Sequence, residues 1–350
     1  MIAMSGGVDS SVAAYLALAE GFTCIGATAK LCDTSLLGEN YTEQNIADAQ
    51  AVANRLGIDF CVLDGVDIFK QAVVDSFIDD YATGLTPNPC VRCNQKIKFS
   101  YLLDKALELG CDHIVTGHYA QIKKDENTGR YLLCKAVDEN KDQSYFLAGL
   151  SQHQLSHTLF PLGGFSKVEI REIAEQAGLL TAKKRDSQDI CFIPDGDYMA
   201  FIRRYTGESS QPGDFLDLQG NIVGRHNGAM GYTLGQRKGL GLAMGAPVYV
   251  CCKDMACNTV TVGPEESLYT TTLLAKDWNW FPFPILTEPM QVTAKARSRH
   301  IPQTATVYPE ENGYARVVFD APQRAITPGQ TIVLYDKDMV IGGGTITETF

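Results

Sequence analysis

The stretch Met4-Ser5-Gly6-Gly7-Val8-Asp9-Ser10-Ser11 decides the fold at the start of the chain, because the apolar, alanine-rich run Val12–Leu18 directly after it predicts a helix. Gly6 and Gly7 then lie in the turn before a helix N-terminus, where the lack of a Cβ lets backbone N–H groups approach an anion. The helix N-terminus adds exposed N–H donors and a partial positive charge, and three serines add hydroxyl donors. The stretch therefore predicts a phosphate-binding loop.

The loop differs from the two commonest glycine-rich nucleotide motifs. No lysine follows the glycines, so the pattern is not G-x-x-x-x-G-K-[ST], and it is not G-x-G-x-x-G either. Asp9 would repel a phosphate directly. An aspartate in a phosphate-binding loop therefore makes sense only if it acts with Mg²⁺ or caps the helix. The alternative is a Gly-Gly turn with a purely structural role.

Strand and helix signals alternate after this loop. The predicted strands are Phe22–Ala29, Phe60–Leu63 and His113–Gly117, and the predicted helices are Thr42–Leu56, Asp67–Tyr81 and Ile97–Leu109. Strands separated by helices of this length form βαβ units with a parallel sheet. The pattern predicts a doubly wound α/β domain, which we expect to span residues 1–204.

The pattern changes beyond about residue 205, where short strands and turns predict a small mixed or β central domain over residues 205–270. From about Leu273 onward strands dominate, which predicts a C-terminal β-barrel domain over residues 271–350. The expected strands of these two parts are Phe215–Leu218, Asn221–Gly224, Pro247–Cys252, Thr259–Val262, Gln291–Ala296, Thr304–Tyr308, Ala315–Phe319, Thr331–Tyr335 and Val340–Ile346.

Composition and charge narrow the class of protein. Of 350 residues, 45% are hydrophobic and 20% charged, which excludes disorder over most of the chain. No apolar run of 18 residues and no signal peptide occur, so we expect a cytoplasmic protein without a membrane span. The net charge is −11, yet residues 1–90 hold three basic and twelve acidic residues, and Leu218 to Lys253 holds four basic and no acidic ones. A nucleic acid could dock on the later parts of the chain, although such a run can also be a solvated surface.

Eleven cysteines without a secretory signal indicate reduced thiols. Two sites stand out: a C-x-x-C formed by Cys90 and Cys93, and Cys191. Cys93 is expected just ahead of the Ile97–Leu109 helix, with cations at Arg92, Lys96 and Lys98. A helix N-terminus and nearby cations lower the pKa of a thiol, which predicts a nucleophilic Cys93. A zinc site that adds Cys111 and His113 is the less favoured alternative, because a second C-x-x-C is missing.

Six motifs follow one another along the chain. They are the loop S-G-G-x-D-S, Thr86-Pro-Asn-Pro-x-x-x-Cys93-Asn94, Thr116-Gly117-His118-Tyr119, Lys141-Asp142-Gln143-Ser144-Tyr145, Ser187-Gln188-Asp189-Ile190-Cys191-Phe192 and Gly231-Tyr232-Thr-x-Gly235-Gln236-Arg237-Lys238-Gly239. In this order they resemble the tRNA-specific 2-thiouridylase family of PP-loop ATP pyrophosphatases, over the length of the chain. The resemblance implies that ATP is split to AMP and pyrophosphate and that sulfur replaces the C2 oxygen of the wobble uridine of tRNA.

The resemblance also assigns roles to residues. Cys191 would receive a persulfide from a sulfur-relay protein, Cys93 would be the nucleophile that releases that sulfur, and the two would form a disulfide during turnover. ATP, with Mg²⁺, would be bound by Ala3, Met4, Ser5, Gly6, Gly7, Val8, Asp9, Ser10, Ala29 and Gly117. The target base and the rest of the tRNA would contact Asn88, Pro89, Cys90, His118, Lys141, Asp142, Gln143, Arg297, Ser298, Arg299 and Gln330.

Two features depart from the usual family pattern. Only three residues precede the loop, so either the first strand is very short or the start of the chain is set too far downstream. In addition, Cys90 stands where many members have Asp. The runner-up function is a PP-loop adenylating ligase or amidotransferase acting on a small metabolite, which would need no cysteine pair. A non-enzymatic RNA-binding module would fit the C-terminal β domain alone.

Overall fold

The computed structural model describes residues 1–32, 41–182, 184, 190–207 and 210–350. Two of the helices are continuous runs whose winding changes between α and π. The helices are α1 (Val8–Ala19), α2 (Tyr41–Leu56), α3 (Val66–Phe69, Lys70–Asp75 and Ser76–Ala82 in succession), α4 (Pro89–Cys93, Asn94–Tyr101 and Leu102–Glu108 in succession), α5 (Ser144–Leu147), α6 (Gln152–Ser156), α7 (Lys167–Gln176) and α8 (Tyr198–Thr206).

A parallel five-stranded sheet forms the N-terminal part, in the order β3-β2-β1-β4-β7. Its strands are β1 (Ile2–Ala3), β2 (Ile25–Lys30), β3 (Asp59–Asp64), β4 (Ile114–Val115) and β7 (Thr158–Leu159). The chain passes from β1 outward to β3 and then returns to the opposite side of β1 to form β4. The carboxyl ends of β1 and β4 therefore diverge at a topological switch point, where such sheets bind ligands.

An apolar cluster covers each face of this sheet. Successive side chains of a strand lie alternately in one cluster and in the other. Met1 and Ala27 face a cluster built from α4 (Phe99, Leu102, Leu103), whereas Ile2 and Met4 face one built from α1, α2 and α7. Helices on both faces of a parallel sheet define the doubly wound α/β fold, so this prediction is confirmed.

Two further sheets follow. The central sheet has the order β10-β11-β8-β9 and is mixed, since β11 pairs in parallel with β8. The last six strands close into an antiparallel barrel, β12-β15-β14-β13-β16-β17, through the pairing of β12 with β17. Strands 8 to 17 are Gly213–Leu216, Ile222–His226, Tyr249–Asp254, Thr259–Gly263, Tyr269–Trp280, Met290–Lys295, Gln303–Pro309, Ala315–Arg324, Thr331–Asp336 and Met339–Thr349. The predicted central and barrel architecture is thus confirmed.

Two features of the fold differ from the sequence prediction. A hairpin from the N-terminal part, β5 (Gln121–Lys124) and β6 (Tyr131–Cys134), adds to the barrel sheet through β17. The helix expected to begin at Ile97 begins at Pro89, because proline at the first helical position is pre-organised for a helix and needs no N–H partner there. No helix in the described ranges is long and apolar enough to cross a membrane.

Candidate active site

The predicted phosphate loop lies at the switch point of the parallel sheet. It connects β1 to α1, and Ala29 and Gly117 lie at the carboxyl ends of the neighbouring strands β2 and β4. The loop is anchored on β2, since Met4 N donates to Ala27 O at 2.8 Å and Thr28 Oγ1 donates to Met4 O at 2.7 Å. The residues expected to bind ATP are therefore brought to one edge of one sheet.

Backbone crowding explains two glycines of the site. Gly6 has a φ of +71°, and a Cβ there would lie 2.5 Å from the backbone oxygen of Asn45. A Cβ on Gly117 would lie 2.7 Å from both the carbonyl carbon of Asp9 and the amide nitrogen of Ser10. Gly7 is the N-cap of α1, and no side chain caps its N–H groups. The helix N-terminus is thus left open to an anion.

Asp9 and the loop are held by three side chains to which the sequence motifs assign no role. Asp9 Oδ1 accepts hydrogen bonds from Tyr119 Oη at 2.8 Å and from Lys167 Nζ at 2.7 Å. Lys184 Nζ donates to Gly6 O at 3.0 Å and to Asp48 Oδ2 at 2.8 Å. Tyr119 belongs to a quoted motif, whereas Lys167 carried no sequence signal because it is 158 residues from Asp9.

The three thiols of interest lie near enough to act on one another electrostatically, although Cys191 is distant in sequence. Cys90 and Cys93 lie one turn apart in α4, and Cys93 packs in the same apolar cluster as Phe192 and Ile193. The electrostatic environment of Cys93 includes both Cys90 and Cys191. The structure therefore brings together the two cysteines assigned to sulfur transfer, and both are free thiols. Ser187, Gln188 and Asp189 of the same motif lie outside the described residues.

The expected low pKa of Cys93 is wrong for this structure. Cys93 lies inside α4 and is only 8% exposed, so burial raises the pKa of its thiol to about 12 despite the opposing effect of Lys98. Burial also raises the thiol pKa of Cys90 and of Cys191. Each of these residues has the accessible area of an exposed side chain. Enough protein nevertheless surrounds each sulfur to penalise the charged thiolate. Arg92 does not supply the expected charge, because it pairs with Asp80 at 3.5 Å.

Among the residues that the structure describes, Lys98 is the cation whose charge acts on this group of thiols. Its Nζ lies 3.3 Å from His118 Nε2, and His118 Nδ1 lies 2.7 Å from Thr116 Oγ1. His118, assigned to tRNA by the resemblance, is buried at 8% exposure. Burial and then the charge of Lys98 hold the pKa of His118 well below its usual range, so this imidazole is neutral.

Other residues assigned to tRNA make contacts within the protein. The side chain of Asn88 interacts with the Tyr145 hydroxyl and lowers its pKa, although burial, the larger effect, raises that pKa. Pro89 is buried, and Gln330 Nε2 donates to Thr86 O at 2.8 Å and to Pro87 O at 3.3 Å. The last two contacts attach the barrel to the segment that begins α4.

The Lys141-Asp142-Gln143 motif is partly structural as well. Asp142 accepts from Ala136 N at 3.1 Å and from Ser144 Oγ at 2.8 Å. Gln143 Oε1 accepts from Tyr119 N at 2.9 Å, which links the motif to the residue after His118. Lys141 is half-buried.

Arg297, the first residue of the Arg297-Ser298-Arg299 motif, lines a cavity of about 490 Å³ where the N-terminal part, the central sheet and the barrel meet. Arg297 donates to Thr327 Oγ1 and to Leu234 O, Ser298 is half-buried, and Arg299 is exposed. Arg237 and Lys238 follow the loop that lines this cavity, and both are exposed.

The alternative zinc site gains no support from the arrangement of its members. Cys111 interacts electrostatically with Cys24 and Cys61 beside the parallel sheet, rather than with the thiols of α4. Within the part of the chain that the structure describes, no group of three or more His, Cys, Asp or Glu side chains could hold a metal ion.

The fold and the site together define a class of protein: a HUP-type, ATP-using PP-loop domain with a cysteine pair, followed by two β domains. The family model described as tRNA methyl transferase HUP domain matches residues 1–195, the PRC-barrel domain model residues 199–264, and the aminomethyltransferase beta-barrel domain model residues 270–346. The chain belongs to the tRNA-specific 2-thiouridylase family, and the resemblance drawn from its motifs is confirmed.

Full-length relatives support this assignment. The tRNA-specific 2-thiouridylase MnmA of Acetivibrio thermocellus is 49% identical and covers 99% of this chain and 98% of the relative. The protein of the same name from Clostridioides difficile is 46% identical, and the match covers 100% of this chain and 98% of the relative. The one from Heliobacterium modesticaldum is 50% identical, and the match covers 99% of this chain and 91% of the relative. Among solved structures, the U34-tRNA thiolase NcsA from Methanococcus maripaludis with its [4Fe-4S] cluster is 21% identical over 58% of this chain and 65% of that chain. Its TM-score of 0.33 adds nothing to the assignment.

Proposed function

We propose that this protein is a tRNA-uridine 2-sulfurtransferase that thiolates the wobble uridine in an ATP-dependent reaction in the cytoplasm. The chain would consist of three domains: a catalytic domain at residues 1–204, an adaptor domain at residues 205–270 and a barrel domain at residues 271–350. The observation that carries the proposal is that Cys191 lies near enough to Cys93 to act on the pKa of its thiol, while its neighbours Phe192 and Ile193 pack in the apolar cluster that contains Cys93. A PP-loop ligase acting on a small metabolite has no use for such a pair.

The first step is adenylation of the base. The uridine O2 attacks the α-phosphorus of ATP, and the bond between that phosphorus and the α–β bridging oxygen breaks. Pyrophosphate leaves with the electron pair of that bond, and the N3 proton of the base passes to solvent. The open N-terminus of α1 and the glycines of the loop would bind the phosphates. Asp9 fits a role beside Mg²⁺, since a carboxylate at a phosphate loop is a magnesium ligand type, and Lys167 and Tyr119 hold its Oδ1 in place.

The second step moves sulfur. The Cys93 thiolate attacks Sγ of the Cys191 persulfide, the persulfide S–S bond breaks, and the terminal sulfur leaves as hydrosulfide. Hydrosulfide adds to C2 of the adenylated base, AMP departs with the former O2, and the proton of the sulfur restores N3–H. The two cysteines are left as a disulfide, so an external thiol must reduce them by two electrons before the next turnover. A persulfide-delivering relay protein would then reload Cys191.

The test is mass spectrometry of nucleosides from unmodified tRNA incubated with the protein, ATP, Mg²⁺ and a persulfide donor. We expect 2-thiouridine together with AMP and pyrophosphate. Cys93→Ser and Cys191→Ser should each abolish thiolation while pyrophosphate release and tRNA binding persist. ADP as the main nucleotide product would refute the PP-loop chemistry, and normal thiolation by Cys191→Ser would refute the role of the pair.

A further inference from the structure

The position of Lys98 in α4 depends on a change in helix winding. In an α-helix, a residue five positions after Cys93 would lie about 140° around the axis from it. Asn94–Tyr101 is π-helical, however, with hydrogen bonds between residues five apart. This wider winding turns Lys98 back toward the side of the helix that carries Cys93. π-Helical segments occur frequently at functional sites.

The contact with His118 orients the ammonium group. A lysine ammonium can only donate hydrogen bonds, so Nε2 of the neutral His118, 3.3 Å from Lys98 Nζ, is the acceptor. The ring proton then lies on Nδ1, which donates to Thr116 Oγ1 at 2.7 Å. His118 also packs against Phe99 and Phe160, with ring centroids 5.6 and 5.9 Å away. The imidazole is therefore held from several sides, and it presents a lone pair to Lys98.

Lys98 acts on all three thiols of the site. It opposes the effect of burial at Cys90, at Cys93 and at Cys191. The other two cations expected near Cys93 are placed differently, since Arg92 pairs with Asp80 and Lys96 is exposed on the same helix.

We propose that Lys98, oriented by its contact with His118, stabilises the sulfur anions of the transfer step. The proposal rests on the proposed function and names a further residue for it. Negative charge sits first on the Cys93 thiolate and then on the departing hydrosulfide, and a fixed ammonium in a poorly solvated site stabilises both. Lys98 itself exchanges no proton and no electron in this step; the bonds that form and break are those between the sulfurs. His118 acts through Lys98 as a positioning residue.

The experiment compares three variants of the full chain. Lys98→Gln removes the charge but keeps a donor for His118, Lys98→Arg keeps the charge, and Lys96→Gln removes an exposed charge from the same helix as the matched control. The first readout is the rate of iodoacetamide alkylation of Cys90, Cys93 and Cys191 at one fixed pH, resolved by peptide mass spectrometry. The second is single-turnover thiolation with a persulfide donor, measured beside pyrophosphate release and tRNA binding.

We expect Lys98→Gln to slow alkylation of the thiols about tenfold. At a fixed pH below the thiol pKa, a pKa that is one unit higher lowers the thiolate fraction by this factor. Thiolation should slow by at least as much, with pyrophosphate release and tRNA binding unchanged. Lys98→Arg should retain most of both rates, and Lys96→Gln should match wild type. Wild-type alkylation rates in Lys98→Gln, or equal losses in Lys98→Gln and Lys96→Gln, would overturn the proposal.

The alkylation readout needs neither tRNA nor ATP, so it separates the two proposals. If wild-type protein fails to thiolate tRNA, the proposed function fails while the effect of Lys98 on the thiols is still measured. If Lys98→Gln lowers the melting temperature sharply, the comparison of wild type, Lys98→Arg and Lys96→Gln still tests the proposal. A lysine with a purely structural role would leave alkylation and thiolation slow in Lys98→Arg. A lysine that stabilises sulfur anions would leave both rates of Lys98→Arg fast.

Discussion

Replacing Gly117 by alanine should disable the phosphate loop, although Gly117 itself lies after β4. The added Cβ would lie 2.7 Å from the carbonyl carbon of Asp9 and from the amide nitrogen of Ser10, whereas ordinary contacts begin at 3.4 Å. The backbone of one segment must therefore shift by about 0.7 Å to restore normal separation. Both neighbouring atoms belong to backbone, so no flexible side chain can absorb the change.

Two magnitudes follow from this shift. Overpacking of a tight contact costs about 1–3 kcal/mol of stability. A misplacement near 1 Å in a reacting site can cost about 10²-fold in rate. We expect pyrophosphate release by Gly117→Ala to fall about 10- to 100-fold, with weakened ATP binding and unchanged tRNA affinity.

The assay measures pyrophosphate release with tRNA present, ATP binding by calorimetry and thermal unfolding. Gly164→Ala is the matched control, because a Cβ at Gly164 meets nothing within 4 Å and its φ is not in the left-handed region. If Gly117→Ala releases pyrophosphate as fast as Gly164→Ala, a Cβ at position 117 does not disturb the phosphate loop. That result would refute the steric argument.

The remaining predictions concern RNA affinity, two contacts of the site and its pH dependence. The double variant Arg237→Ala/Lys238→Ala should bind tRNA more weakly and with a flatter salt dependence, since both side chains are exposed beside the central cavity; binding unchanged across a salt titration would leave them a solvated pair. Cys90→Asp should keep at least comparable thiolation, and Cys90→Ala should lose much less than Cys93→Ala; equal, complete loss in the two Ala variants would mean that the thiols act as a unit. Gln330→Ala should lose about 1–2 kcal/mol of stability and slow thiolation, whereas a drop in tRNA affinity alone would identify Gln330 as an RNA contact. Because the thiol pKa of Cys93 is raised to about 12, the thiolate fraction grows about tenfold per pH unit below that value, so single-turnover sulfur transfer should still be rising above pH 9; a plateau below pH 8 would contradict this.

Local sequence features located the phosphate loop and most elements of the fold. Gly6 adopts a φ of +71° in the turn where the glycine pair predicted it, and the strand expected at Thr259–Val262 is observed as Thr259–Gly263. Such features are readable because hydrophobic periodicity and the conformational range of glycine act over a few residues. The start of α4 was misjudged by the same kind of local reading, since Pro89 marks a turn and a first helical position equally well.

The charge state of the site depended on tertiary structure. From sequence, Cys93 had three nearby cations and a low expected pKa; in the fold it is buried, Arg92 is paired with Asp80, and the pKa is raised. The pairing of Lys167 with Asp9 and the place of Lys98 beside His118 likewise left no sequence signal. The sequence alone determined the family, the loop and the chemical types present, because these are properties of short segments. Only the tertiary structure decided which side chains meet and how much water remains around them, because desolvation and Coulomb energy depend on distances between segments that are far apart in the chain.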